Sequence, residues 1–174
     1  NLDAFIQGIK EGSTGQKAAL TDEEMAKALA QYKQQTEAKQ LLEFKKAADE
    51  NAQLGEKFLA ENAKKAGVTT TASGLQYEVL KAGTGIKPTA ASVVKVHYHG
   101  TLIDGTVFDS SVERKEPATF GVSEVIKGWT EALQLMPVGS KWRLYIPQEL
   151  AYGPAEQGTI KPFSTLIFDV ELIS

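Results

Sequence analysis

The feature that most constrains the fold is the run of residues 22–66, which contains no proline and only one glycine, at position 55. All six prolines of the 174-residue chain, both tryptophans and both histidines come after this run. Because proline breaks helices and glycine weakens them, the run predicts one continuous helix of about 65–70 Å at 1.5 Å per residue. A second part of different composition follows, and we expect the boundary at residues 67–73.

Capping signals mark both ends of this predicted helix. Thr21 is the expected N-cap and Glu24 follows three residues later, which is the spacing of a capping box. Leu20 and Met25 occupy the two positions of a hydrophobic staple. At the other end, Gly67 is predicted to be a left-handed cap. The helix is therefore expected to begin at Thr21 and to continue to the residue before Gly67.

The polarity of this helix argues against a full-length coiled coil. Residues 33–40 are almost wholly polar and no heptad seam is sustained, which favours a solvated spacer. Before it, residues 2–10 carry four apolar side chains at helical spacing, in a helix too short to be stable alone in water. One chain offers too little apolar surface there for its own core. We therefore expect residues 1–20 to form a dimerisation segment that packs against a second copy.

From residue 68 onwards the apolar pattern becomes the alternation typical of strands. A turn at residues 104–105 predicts a hairpin, and one helix, Glu124–Met136, is stopped by Pro137 and Gly139. Many strands and one helix predict an α+β fold in which an antiparallel half-barrel wraps around the short helix. The predicted strands are residues 75–81, 93–103, 106–109, 141–147 and 165–173.

Composition excludes several classes of function. A net charge of −3 is unlike the basic surface of a nucleic-acid-binding protein, and no apolar run is long enough for a membrane span. The chain has no cysteine, so disulfides and thiolate sites are excluded. His97 and His99 share one face of a strand, but a metal site there would need carboxylates, and we expect ordinary strand histidines and no cofactor. The chain begins at Asn1 without a methionine, so we expect a processed or truncated product.

Several motifs of the second part resemble those of the FKBP-type peptidyl-prolyl cis/trans isomerases, in the same order along the chain. They are Val96-His-Tyr-His-Gly100, Gly105-Thr-Val-Phe-Asp-Ser-Ser111, Val125-Ile-Lys-Gly-Trp129, Ala151-Tyr-Gly153 and Phe168-Asp-Val-Glu-Leu172. The N-terminal part is similar to that of the macrophage infectivity potentiator group, which are bacterial FKBPs of the cell envelope. The resemblance implies a dimerisation segment over 1–20, a stalk helix over 21–67 and an isomerase domain over 68–174.

The resemblance also implies the roles of single residues. Trp129 is expected to form the floor of an apolar cleft that receives a proline ring, and Arg114 to hold the polar groups in place. The backbone N–H of Ile126 and the hydroxyl of Tyr152 are expected to bind substrate carbonyls. The residues expected to be catalytic are Asp109, Tyr98, Phe108 and Tyr152, and those expected to bind substrate are Val125, Ile126, Trp129, Phe120, Ile160, Phe168 and Arg114.

Taken singly, these residues have simpler explanations. Trp129 and Phe168 are equally well explained as core aromatics, Tyr152 as a turn residue, and Phe108-Asp109 as the end of a hairpin strand. Isomerisation of an X–Pro bond breaks no covalent bond and needs no nucleophile, metal or cofactor, so aromatic walls with one or two polar groups are sufficient. The presence of all the motifs in one order favours the cleft.

The implied partners are proline-containing polypeptides, macrolide inhibitors of FKBPs and a second copy of the chain, bound through the N-terminal helices. The implied location is the periplasm or outer membrane of a Gram-negative bacterium, with the cytoplasm as the alternative. A non-catalytic, peptide-binding chaperone is the competing function. Ala118 stands where many FKBPs have an aromatic residue, and the loop over residues 153–161 is slightly shorter, so the resemblance does not fix the substrate preference or the affinity for macrolides.

Overall fold

A computed structural model describes residues 6–7, 9–10 and 21–174 of the chain. The chain divides into two compact units, residues 1–46 and 47–174. Residues 6–7 and 9–10 are helical, and the rest of the predicted segment over residues 1–20 lies outside the described residues. The helices and strands are α1 (Asp22–Asn62), β1 (Val68–Thr70), β2 (Gln76–Lys81), β3 (Val93–Leu102), β4 (Val107–Ser110), β5 (Ala118–Gly121), α2 (Lys127–Leu135), β6 (Lys141–Ile146), a 3-10 turn (Gln148–Leu150) and β7 (Leu166–Leu172).

The start of α1 confirms the predicted capping box. The backbone N–H of Thr21 donates to Glu24 Oε2 at 2.8 Å, and the backbone N–H of Glu24 donates to Thr21 Oγ1 at 3.2 Å. Within the first unit, residues 33–40 are exposed apart from Thr36, which is half-buried. The predicted staple residue Leu20 lies outside the described residues.

The helix ends at Asn62, earlier than predicted. Beyond it the backbone changes to bonds between residues three apart, from Lys64 N–H to Glu61 O at 3.2 Å and from Lys65 N–H to Asn62 O at 3.0 Å. Gly67 has the predicted left-handed conformation, with φ of 88°. The predicted cap is therefore correct, but a tightened turn separates it from the α-helix.

The part of α1 that belongs to the second unit packs against the sheet. Gly55 and Asn62 are buried, and Asn62 Nδ2 donates to Gln76 Oε1 at 2.9 Å. The ring of Phe58 lies 5.9 Å from that of Tyr145 between centroids. This half of the helix is consequently part of the second unit's structure, a contact that the sequence did not predict.

Seven antiparallel strands form one sheet in the order β1-β2-β6-β7-β3-β4. The seventh strand, β5, pairs with the first half of β3, and β4 pairs with the second half of β3. The five predicted strands agree with β2, β3, β4, β6 and β7 within two residues at each end. The short strands β1 and β5 were not predicted, because three or four residues carry too little alternation to be recognised. The equally short β4 was predicted from the hairpin turn that precedes it.

The core lies between the inner face of the sheet and α2. The helix buries Trp129, Ala132 and Leu133 against inward-facing side chains of β3, β6 and β7. It begins at Lys127, three residues later than predicted, because Ile126 is extended with φ of −58° and ψ of 152°. The predicted antiparallel half-barrel around one short helix is confirmed.

Candidate active site

The strands that carry the predicted polar residues place them side by side. Along β3 the side chains alternate, so that Tyr98 is buried on the inner face while its neighbours His97 and His99 lie on the outer face. Asp109 on β4 pairs with Gly100, two residues after Tyr98 on β3. Pairing in this register brings the carboxylate next to the tyrosine hydroxyl.

Tyr98, Asp109 and Arg114 form a closed hydrogen-bonded triangle. The hydroxyl of Tyr98 donates to Asp109 Oδ2 at 2.6 Å, and Arg114 Nη2 donates to the same hydroxyl at 2.9 Å. Arg114 Nη1 donates to the other oxygen, Asp109 Oδ1. The guanidinium also lies 5.7 Å from the centre of the Tyr98 ring. Both carboxylate oxygens are therefore engaged, and the carboxylate charge is balanced within the site.

Three aromatic rings surround Trp129 edge to face, and a fourth meets one of them in the same way. The Trp129 ring lies 5.3 Å from Tyr98, 5.8 Å from Phe120 and 5.2 Å from Phe168 between centroids. Phe108 meets Phe168 at 5.3 Å. Edge-to-face contacts at these distances are the preferred arrangement of aromatic pairs. They fix the rings in one geometry and leave an apolar surface between them.

Gly100 makes this aromatic arrangement sterically feasible. A Cβ atom at this position would lie 2.7 Å from atoms of both the Phe108 and the Phe168 rings. The sequence contains the signal for this role, because a glycine inside a strand pattern marks a close approach. Sequence reasoning did not assign it to the site.

The aromatic residues line a cleft of about 720 Å³ that is closed on one side by the start of α2 and on the other by the loop before β7. Arg114 does not line the cleft, but it bonds two polar groups that do, the Asp109 carboxylate and the Tyr98 hydroxyl. Ile126 precedes the first turn of α2, so its N–H lies outside the bonding pattern of the helix. The predicted residues that line the cleft are Tyr98, Phe108, Asp109, Phe120, Val125, Ile126, Trp129, Tyr152, Ile160 and Phe168.

Four further residues line the cleft and were not predicted as site residues: Glu124, Gln157, Gly158 and Thr159. Glu124 and Thr159 adjoin predicted residues in the sequence, and Gln157 and Gly158 lie within three residues of Ile160, which is the signal that could have identified them. Ala118 is the residue that stands where many FKBPs have an aromatic side chain. It lies on β5 and packs against the core. It does not line the cleft.

Two family sequence models match the chain. The sequence model of the FKBP-type peptidyl-prolyl cis-trans isomerases matches residues 84–173, and that of the domain amino terminal to FKBP-type peptidyl-prolyl isomerase matches residues 1–79. The chain belongs to the FKBP-type peptidyl-prolyl cis-trans isomerase family. The resemblance identified from its motifs is thereby confirmed.

Individual FKBP relatives are similar over nearly the whole chain. The FKBP-type isomerase FkpA of Aeromonas hydrophila is 53% identical over 98% of this chain, and the chain spans 63% of that relative's length. The outer membrane protein MIP of Legionella longbeachae is 49% identical over 100% of this chain and 75% of its own length. The crystal structure of FkpA from Escherichia coli has a TM-score of 0.88 at 39% identity, covering 100% of this chain and 81% of that one.

The triangle of the FKBP cleft determines the charge states of its members. Burial raises the pKa of Asp109, but hydrogen bonds from Tyr98 and Arg114, together with the charge of Arg114, outweigh it and leave that pKa lowered. Burial first, and then the bond to Asp109, raise the pKa of Tyr98. Asp109 is therefore an anion and Tyr98 a neutral donor at neutral pH. The three groups therefore provide a fixed arrangement of charge and hydrogen-bond donors, and they are not poised to transfer a proton.

The lowered pKa of Asp109 predicts a pH-dependent part of the stability. In the folded chain this pKa lies below its ordinary value of 3.8, so the unfolded state binds the proton first as the pH falls. This contribution to the free energy of unfolding is present above about pH 4 and is lost as the pH falls through the folded-state pKa. The side chains of Arg114 and Asp109 are 51% and 43% exposed, so solvent screening keeps the effect small.

Urea unfolding of the intact chain and of Asp109→Asn between pH 7 and pH 2 measures this contribution. We expect the difference between their free energies of unfolding to shrink below about pH 4. A difference that stays constant down to pH 2 would contradict the assignment.

The outer face of the FKBP sheet carries the two histidines. His97 Nδ1 lies 3.0 Å from Ser111 Oγ, and His99 Nδ1 lies 2.9 Å from Ser110 Oγ. Among residues 6–7, 9–10 and 21–174, no cluster of three metal-ligating side chains is present. Within the same residues, no helix is long and apolar enough to cross a membrane.

Proposed function

We propose that this chain accelerates cis–trans isomerisation of X–Pro bonds in unfolded or partly folded polypeptides. The observation that carries the proposal is the aromatic cleft of about 720 Å³ with a charge-balanced triangle at its side. The cleft has the size and composition of a small-ligand site, with apolar walls and few polar groups. A proline ring and its flanking peptide bonds match that composition.

The reaction needs an environment rather than a reactive group. The C–N bond of an amide has partial double-bond character, and rotation about an X–Pro bond has a barrier of about 20 kcal/mol. In the planar ground state the carbonyl oxygen is electron-rich, whereas twisting removes the resonance and makes that oxygen less polar. An apolar cleft therefore disfavours the planar amide relative to the twisted one, which lowers the barrier.

The polar groups of the cleft hold the peptide while it twists. We assign the Ile126 N–H and the Tyr152 hydroxyl to carbonyls flanking the proline. Asp109, kept anionic by Arg114, lies beside the reacting carbonyl, and Tyr98 and Phe108 complete the wall around it. Fixed hydrogen bonds supply the binding energy that is realised in the twisted state. No cofactor takes part in this scheme.

Isomerisation of a Phe-Pro peptide, followed by NMR exchange, tests the proposal. We expect the intact chain to accelerate the exchange, and Tyr152→Phe to lower kcat/KM by about threefold to tenfold because one hydrogen bond is lost. Tyr32→Phe on α1, outside the cleft, is the matched control and should be unchanged. Binding of the peptide without acceleration would instead support the non-catalytic chaperone. A macrolide FKBP inhibitor should compete for the same cleft.

We further propose that residues 1–20 form a homodimer and residues 21–67 a stalk that carries the isomerase domain, residues 68–174. A family model of the domain amino terminal to FKBP-type isomerases matches residues 1–79, which supports a distinct N-terminal part. Ile6 and Ile9 are exposed apolar side chains of the proposed dimerisation segment, which supports its burial against a second copy. Two clefts on one dimer would bind an unfolded chain with avidity, giving chaperone activity beside isomerisation.

A chain that begins at Ala47, the start of the second unit, separates these activities. Light scattering should give twice the 18.8 kDa chain mass for the intact protein and a single mass for the shortened one. Both should isomerise a short peptide equally, while the shortened chain should suppress aggregation of an unfolded protein less well. Equal suppression by the two would refute the dimeric chaperone.

We place the protein in the cell envelope of a Gram-negative bacterium, in the periplasm or at the outer membrane. The relative from Legionella longbeachae, an outer membrane protein by its name, supports this location. Recovery of the protein in the cytoplasmic fraction of its host would favour the alternative.

A further inference from the structure

One wall of the cleft is the loop that precedes β7. Residues 157–160 of this loop line the cleft, and they connect the turn after the 3-10 helix to β7. The backbones of Gln157 and Ile160 bond each other at 3.0 and 2.9 Å, and the N–H of Phe163 donates to Gly153 O at 2.7 Å. These bonds close the loop on itself, Ile160 is buried in the core, and the chain that follows is held by contacts outside the loop.

Helix α1 holds the C-terminal end of this loop. Asn51 Nδ2 donates to the carbonyl oxygen of Pro162 at 3.0 Å, across 111 residues of sequence, in a half-buried position. One turn further along the same face of α1, Gly55 lies so close to the loop that a Cβ atom there would be 2.4 Å from Thr165 Oγ1. The helix thus meets the chain just before and just after residues 163–164.

The backbone at this point is unusual and needs support. Phe163 has φ of 57°, a conformation that residues other than glycine rarely adopt. Such conformations persist where the surrounding structure holds them. Pro162 has no N–H, so its carbonyl is the only backbone polar group that α1 can hold there. The Asn51 bond is directed at that group.

We propose that Asn51 is a positioning residue of the isomerase, which fixes the loop wall of the cleft through Pro162. This rests on the proposed function of the cleft. Through Asn51, α1 then supports the wall of the cleft without lining it. Because the loop contacts the peptide in both the planar and the twisted state, loosening it raises KM more than it lowers kcat.

The full-length chain with Asn51→Asp tests this assignment. Aspartate has the same shape but no N–H to donate, and it sets a carboxylate oxygen against the Pro162 carbonyl. Gln53→Asp is the control, since Gln53 is exposed on the same helix and the charge change is identical. Asn51→Ala removes the donor without adding charge. A Phe-Pro peptide at saturating and subsaturating concentrations separates kcat from KM.

For both Asn51 variants we expect KM to rise by about threefold to tenfold, the loss of one hydrogen bond, with kcat within twofold of the intact chain. Amide hydrogen exchange at Gln157 and Ile160 should accelerate, while exchange in β3 and β6 stays unchanged. The Gln53→Asp control should match the intact chain in all three readouts.

Three outcomes would overturn the proposal. They are an unchanged KM in Asn51→Asp, an equal effect of Gln53→Asp, and faster exchange spread uniformly over the domain, which would indicate general destabilisation. If the intact chain does not isomerise the peptide, the proposed function fails instead. The exchange at Gln157 and Ile160 then still decides whether Asn51 holds the loop.

Discussion

Replacement of Asp109 by leucine is expected to lower kcat/KM for an X–Pro peptide by about 10- to 100-fold, the equivalent of one or two charge-assisted hydrogen bonds. The change removes the acceptor of both Tyr98 and Arg114 and the fixed charge beside the reacting carbonyl. Arg114 remains bonded to the Tyr98 hydroxyl and is half exposed, so it can be solvated without its partner. We therefore expect the variant to stay folded, as circular dichroism would show.

The matched control for this substitution is Asp169→Leu. Asp169 also pairs with an arginine, accepting bonds from Arg143 at 2.6 and 2.8 Å, but it lies outside the cleft. Both substitutions break one aspartate–arginine pair in the same domain. Loss of activity in Asp109→Leu alone would place the effect in the cleft, whereas equal loss in both would assign it to general perturbation of the sheet.

Removal of the Trp129 ring, the floor of the cleft, should lower the stability more than Asp109→Leu does. Trp129→Ala is expected to lower the free energy of unfolding by about 3–5 kcal/mol, because the ring is buried and the surrounding structure cannot fully collapse. Three aromatic rings lose their edge-to-face partner, so the walls of the cleft shift. A displacement of about 1 Å is enough to cost about 100-fold in rate. Urea unfolding and the peptide assay measure the two effects.

The second tryptophan separates these two effects. Trp142 is buried to a similar degree and stacks on Tyr77 at 4.3 Å, away from the cleft. Both indole N–H groups are buried without a partner among the described residues. Neither substitution therefore leaves a hydrogen-bond acceptor without its donor. Trp142→Ala should therefore lose similar stability while its folded fraction keeps its activity. Equal loss of activity in both variants would show that the floor has no specific role.

Because a loss of this size is a large part of a typical domain's stability, Trp129→Ala risks unfolding the chain. Trp129→Leu keeps much of the buried volume and is the second variant. It should remain folded and still lose most of its activity, since a smaller, branched side chain leaves the floor of the cleft incomplete. Full activity in Trp129→Leu would contradict the assignment of Trp129 to substrate binding.

Short-range patterns account for most of what could be predicted here. The capping box of Thr21 and Glu24 joins residues three apart, and the alternation along β3 joins residues two apart. The order of the motifs identified the family, and ten of the predicted residues come together in one cleft. Their roles as catalytic or substrate-binding groups remain predictions that the substitutions above test.

The sequence by itself determined the long helix, five of the seven strands, the short helix and the residue types of the cleft, because those signals lie within a few neighbours. Tertiary structure alone decided where α1 stops, how Gly100 lets two rings meet, and which residues of α1 join the second unit. Ala48, Asn51, Gly55 and Asn62 recur at helical spacing, but they are small or polar and form no recognisable apolar seam. The partners of Asn51 and Gly55, which are Pro162 and Thr165, lie more than 100 residues away. Only the folded chain brings such residues into contact, so no local pattern can encode them.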